Sequence, residues 1–192
     1  MINFALTGFV FFGLFSPGPN VILVTASGAR FGWNRTIPHI LGIAVGVGVI
    51  AGLTGLGIGQ VLSSNPNLFV VLQVIACCWI LCMAYQLWRS SPKEVDSRER
   101  PFSFVEALLF QWVNPKIWAV ALTATAFIAD QTPVSQAITL GLTFSTLNLF
   151  VCSFWTGFGS LLSRLLVDET SWLIFMRIMA VGLVIFSALI FV

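Results

Sequence analysis

Residues 16–20 read S-P-G-P-N and stand inside an apolar run covering 3–27. Two prolines, a glycine and an asparagine are the wrong residues for an uninterrupted helix. Proline has no N–H to donate and its ring collides with the preceding turn, while glycine and asparagine favour caps and turns. Yet the flanks, FALTGFVFFGLF at 4–15 and VILVTA at 21–26, carry no charge. Such flanks belong in hydrocarbon, where each freed N–H and C=O must find a partner in protein or in a water-lined cavity. The stretch therefore predicts a helix broken at mid-depth of a membrane, with the break turned toward the inside of a bundle.

The whole chain agrees with that solvent. Of its 192 residues 58% are hydrophobic and 8% charged, against roughly 25% charged in soluble domains. Net charge is +2, and with no basic tail there is no sign of a nucleic-acid partner; the partner is the lipid bilayer. Cys77, Cys78, Cys82 and Cys152 lie in apolar runs. Their spacing suits neither a zinc site nor a disulfide framework, so they read as small core residues, and no metal or cofactor is expected. No Lys or Arg precedes the first apolar run, so a removed signal peptide is not expected.

Charges and turn residues divide the sequence into six apolar runs, 3–27, 38–62, 68–88, 104–129, 134–160 and 172–192. Each has the roughly 20 residues that a crossing helix needs, and none has the short alternating pattern of a membrane barrel. Arg30, Arg35, Arg89, Lys93, Arg98, Arg100 and Arg164 all fall on one side of the resulting topology. The positive-inside rule makes that side cytoplasmic and places both termini outside. Trp88 and Trp172 stand at cytoplasmic span ends, where interfacial anchors belong. The expected fold is all-α: one transmembrane domain, 1–192, in halves 1–88 and 104–192 joined by a cytoplasmic connector, 89–103.

With six spans the two halves run in opposite directions, the geometry of an inverted repeat. GPNVILVTAS at 18–27 and NPKIWAVALT at 114–123 occupy matching places in the first span of each half, and Pro19 aligns with Pro115. Paired proline-broken spans are the best sequence pointer to a transporter's binding site. The half-helix beginning near Pro19 offers free N–H groups and a positive dipole end to an anion, and Gly18 lets backbone approach closely.

Lys116 is the only charged side chain near the middle of a span. A lysine there costs at least about 2.5–3.5 kcal/mol, and no Asp or Glu lies at comparable depth. Its partners must be carbonyls freed by Pro17, Pro19 and Pro115, the amides of Asn20, Gln111, Asn114 and Asn148, water, or a substrate carboxylate. One positive charge, helix ends and amides suit a small zwitterion. The expected substrate-binding set is therefore Pro17, Gly18, Pro19, Asn20, Gln111, Asn114, Pro115, Lys116 and Asn148, with Lys116 also carrying protons. The alternative for Lys116 is a structural lysine satisfied by carbonyls.

Gly48, Gly52, Gly55 and Gly59 share one helix face, and Gly42 and Gly46 form a second small-residue pair; such faces let helices pack closely in lipid. His39, at the edge of the second run, reads as an interfacial residue ahead of a proton relay. Arg177 can snorkel to the cytoplasmic face.

Taken together, SPGPN, the stretch ASGARFGWNRTIPHILGIAVGVGV at 26–49, FGLF at 12–15 and FQWVNPKIW at 110–118 resemble the lysine exporter/RhtB family of bacterial amino-acid exporters. The resemblance covers the whole chain. It implies proton-driven export of amino acids or related metabolites across the bacterial inner membrane. Many members carry an acidic residue after the glycine matching Gly46, where this chain has Val47. That departure points away from basic substrates and toward neutral or cysteine-related ones. The competing reading is a passive channel or lipid-handling protein without proton coupling. An enzyme is not expected, because no intramembrane Asp pair, His cluster or Ser–His arrangement is present. The expected partners are a small zwitterionic amino acid or derivative, protons and lipid, with a homo-oligomer allowed.

Overall fold

The computed structural model describes residues 3–59, 64–90, 100–166 and 168–190. The helices are α1 (Phe4–Phe15), α2 (Pro19–Gly55), α3 (Pro66–Trp88), α4 (Phe104–Val113), α5 (Pro115–Thr125, running into a 3-10 turn at Ala126–Ile128), α6 (Pro133–Leu162) and α7 (Glu169–Leu189). The ends of the second and sixth predicted spans, at 60–62 and 191–192, and residues 91–99 of the connector lie outside the described residues.

Each of these helices starts on a local signal. Proline opens α2, α3, α5 and α6, where its missing N–H costs nothing. Asn3, Thr132 and Asp168 cap α1, α6 and α7 with side-chain oxygens. Ser103 and Glu106 form a reciprocal capping box on α4, which satisfies two otherwise free N–H groups.

The sequence predicts a loop between the first two spans, at 28–37. Instead α2 is helical on both sides of a single non-helical residue, Gly32, with φ 77° and ψ 172°. That left-handed φ is open to glycine and strained for other residues. The chain reverses there: Ser27 Oγ lies 3.4 Å from His39 Nδ1, and Asn20 and Gly46 both meet Gln111. The Thr36 hydroxyl donates to the Gly32 carbonyl at 2.8 Å, securing the turn. The two arms, 19–31 and 33–55, are thus neighbours.

Three antiparallel pairings build the bundle. The α1–first-arm unit runs against α4–α5, with Asn3 on Phe127, Gly13 beside Val120, Ser16 on Lys116 and Asn20 on Gln111. The second arm runs against α6: a Cβ at Gly48 would meet Gly141 O and Ser145, and one at Gly55 would meet Ala137 backbone at 2.7 Å. Helix α3 runs against α7, with Gln73 donating to Ile190 O, Cys77 beside Ser187, and Arg177 over the Trp88 ring.

The predicted glycine faces therefore serve different partners. Gly48, Gly52 and Gly55 meet α6, whereas Gly42 and Gly46 meet α4. Gly59 departs from its expected face and meets Leu122 of α5. A further reciprocal approach, Gly28 on Thr156 and Gly159 on Thr25, brings the first arm onto α6.

Val10, Val24, Val47, Ile50, Leu140 and Phe144 fill the main core between α1, α2 and α6. Leu23, Ile80, Met83, Phe110 and Leu183 form a second core beside α3 and α7. Outside, Val71, Ile138, Leu142, Phe150, Ile178 and Leu189 are exposed, an apolar exterior suited to lipid tails. Helices α2, α3, α6 and α7 are long and apolar enough to cross a membrane, while α1, α4 and α5 are shorter apolar helices. Two sequence expectations change. Trp172 packs inside with Ala26, Ala29 and Met176 rather than anchoring at the surface. His39 is 2% exposed and lies against the Phe102 ring, so it is not interfacial; the Gly32 reversal folds it onto the first arm.

Candidate functional site

Helix α1 ends at Ser16 because Pro17 cannot continue it, and α2 begins at Pro19. Helix α4 ends at Asn114 and α5 begins at Pro115. These two breaks meet in the antiparallel pair. A helix break leaves carbonyls at one end and N–H groups at the next, so four such ends converge here.

Lys116 answers the carbonyls. Its Nζ donates to Ser16 O at 2.6 Å, Ser16 Oγ at 2.9 Å and Pro17 O at 3.3 Å. A cation on the C-terminal end of α1 also complements the helix dipole. Ser16 Oγ in turn donates to Gly13 O at 2.9 Å. A Cβ on Gly18 would lie 2.9 Å from that Nζ, so this glycine makes room for the lysine. At the other break, the Trp118 indole donates to Trp112 O at 2.9 Å.

The N–H ends are treated differently. Neither Gly18 nor Asn114 closes its helix with a side-chain bond, although asparagine is among the best N-cap residues. Both amide atoms of Asn114 are buried without a partner, and so is Asn148 Nδ2. Asn148 Oδ1 accepts from the Cys152 thiol at 2.9 Å. Orphaned buried amides cost about 1–3 kcal/mol each and call for a ligand or water. Asn20 and Gln111 form the opposite case, a reciprocal pair at 2.8 and 3.2 Å, with Gln111 also donating to Ala107 O.

Gly18, Pro19, Asn20, Asn114, Lys116 and Asn148 surround one cavity of ≈ 10 Å³, room for about one water. Pro17 supplies a carbonyl to Lys116, Pro115 starts α5, and Gln111 holds Asn20. All nine residues singled out in the sequence thus come together. Ser16 was missed, although it stands in the motif itself: its carbonyl follows from the break, but its hydroxyl on Lys116 depends on the fold.

Residues 11–192 match the family described as LysE type translocator. The chain belongs to this family. Among its relatives, the homoserine/homoserine lactone efflux protein of Salmonella typhimurium is 24% identical over 159 residues, covering 78% of this chain and 75% of that one. The cysteine/O-acetylserine efflux protein of Escherichia coli O1:K1 is 28% identical over 153 residues, covering 78% of each. An uncharacterized membrane protein of Vibrio cholerae is 24% identical over 170 residues, covering 85% and 82%. No solved structure matches the chain. This LysE translocator is a multi-pass membrane protein of a transporter family and not an enzyme.

Proposed function

We propose that this LysE translocator is a secondary exporter of small zwitterionic amino acids or their derivatives, coupled to proton import across the bacterial inner membrane. The observation that carries the reading is the meeting of two broken helices whose N-terminal ends carry no side-chain cap, with unpartnered Asn114 and Asn148 amide atoms beside Lys116. The substrate carboxylate takes the free N–H ends of α2 and α5 with Asn114. Its ammonium takes the carbonyls of Ser16 and Pro17 in place of Lys116. The displaced lysine gives its proton to the cytoplasm as substrate binds, and takes one from outside as substrate leaves. The empty carrier returns with that proton, so each cycle moves substrate out and a proton in.

A six-span inverted repeat is part of this reading, and the helix pairings support it. First spans of each half pair with one another, second with second and third with third, each antiparallel, as a two-fold axis in the membrane plane demands. Each half of the repeat, 1–88 and 104–192, then supplies one break. The basic-loop side is cytoplasmic and both termini are periplasmic. Relatives named for homoserine, cysteine and O-acetylserine suit a site with no side-chain carboxylate.

Counterflow in proteoliposomes tests the proposal. An exporter exchanges labelled for unlabelled homoserine or cysteine without net flux. Uncoupled conduction with no exchange would instead support a channel, which the closed centre does not favour.

A further inference from the structure

Between the Gly32 reversal, the end of α3 and the start of α4 the bundle opens into a cavity of ≈ 560 Å³. That is within the roughly 300–1,000 Å³ of small-molecule sites and far larger than the central space. It lies on the side of the basic loops, and the face of the first arm connects the two. Asn20, Leu23, Ser27 and Arg30 follow one another at helical spacing along that face. Asn20 lines the central cavity, and the other three line the outer one. Leu23 and the Asn20–Gln111 pair stand between them on that face.

The outer cavity has both signs of charge. Arg30, Arg89, Arg100 and Glu106 all line it. Glu106 Oε2 accepts from Arg100 Nη1 at 2.6 Å and from the Ser103 N–H and hydroxyl at 2.8 Å. Among the described residues, Oε1 has one partner, Arg100 Nη2 at 2.7 Å. Each carboxylate oxygen has two lone pairs, so Oε2 is crowded by three donors, while Oε1, with one, keeps a lone pair for a further donor. The capping box and Arg100 hold Glu106 in place, and Arg89 is steadied by the Tyr85 hydroxyl at 2.9 Å.

We propose that this vestibule is a capture site for α-amino-acid zwitterions, in which Glu106 receives the ammonium and Arg89 receives the carboxylate. It rests on the exporter reading and adds a separate, earlier binding step on the cytoplasmic side. A zwitterion held at both ends is presented above Leu23, one helical step from Asn20. Molecules with a blocked amine or carboxyl lose one of the two anchors and are rejected there, before they reach the centre.

The variants are Glu106→Gln, which keeps the capping box because glutamine serves there as well, and Arg89→Gln. Homoserine transport is measured from each face in proteoliposomes whose sidedness is fixed by impermeant labelling. Glu106→Gln should raise the half-saturating concentration from the vestibule face about tenfold, the loss of one charge-assisted contact. The half-saturation from the other face and the maximal rate from the vestibule face should hold. N-acetylhomoserine should compete poorly in the wild type and gain relative to homoserine in Glu106→Gln, while homoserine methyl ester should gain in Arg89→Gln. Equal changes from both faces, or unchanged competition, would overturn the capture site. If the wild type exchanges nothing, the exporter reading fails, and the vestibule is then decided by equilibrium binding of labelled homoserine to solubilised protein. Wild-type binding by Glu106→Gln in that assay would refute it.

Discussion

Replacing Lys116 by glutamine tests the junction of structure and transport. The lysine holds the broken end of α1 through contacts of 2.6, 2.9 and 3.3 Å. The two shorter ones have the geometry of charge-assisted hydrogen bonds, worth about 1.5–3 kcal/mol each. Glutamine keeps one neutral bond of about 1 kcal/mol, and the half-buried setting screens part of the charge. A net loss of about 2 kcal/mol follows, and for a chain of this length that lowers Tm by about 4–8 °C. Purified protein in detergent, followed by thermal unfolding, gives that number. In proteoliposomes with an imposed pH gradient, Lys116→Gln should fail to concentrate homoserine, because glutamine cannot carry a proton, while some exchange survives. Lys116→Arg keeps the latch and Tm but holds its proton throughout, so it should also lose gradient-driven export. Wild-type accumulation by either variant would refute the coupling role and leave Lys116 a structural lysine. An unchanged Tm in Lys116→Gln would refute the latch.

Asn114→Ala removes two unpartnered buried amide atoms, so Tm should stay within about 3 °C of wild type or rise as a desolvation cost disappears, while the half-saturating substrate concentration rises about tenfold. Gly55→Ala pushes a Cβ to 2.7–2.8 Å from Ala137 and Gln136 backbone, an overpacking worth about 1–3 kcal/mol; Tm should fall by several degrees, whereas Gly8→Ala, which meets nothing within 4 Å, should leave it unchanged. For topology, in protein lacking Cys77, Cys78, Cys82 and Cys152, an impermeant thiol reagent applied from the periplasm should label Ser64→Cys and not Arg89→Cys; the reverse pattern would invert the proposed orientation.

The helix starts and the two breaks were legible because each is written within a few consecutive residues. Proline removes a donor at its own position, asparagine and serine cap the turn that follows, and a lone charge is visible in any apolar run. Arg30 and Arg35 between two apolar runs imply a loop at 28–37, but only Gly32 leaves the helical region. One left-handed residue suffices to reverse the chain, and nothing local says which of several glycines will take it. His39 and Trp172 were misplaced for a related reason: polarity and position near a span end indicate an interface, while burial depends on which helix is packed across from them.

The sequence by itself determined a membrane-spanning all-helical chain, the places where two of its helices break, a mid-depth lysine without a carboxylate, and membership of a translocator family through motifs that lie along its length. Tertiary structure alone decided that the two breaks face each other, that Ser16 rather than an amide holds Lys116, that the Asn114 and Asn148 amides are left open, and that Arg89, Arg100 and Glu106 share a vestibule. The physical reason lies in the solvent. Lipid is as apolar as the helix faces, so helices do not choose partners by burying hydrophobic surface. They choose by close fit of small residues and by satisfying polar groups. Gly28, Gly42, Gly48, Gly55 and Gly159 offer such a fit to many neighbours in the sequence, and only the folded bundle selects among them.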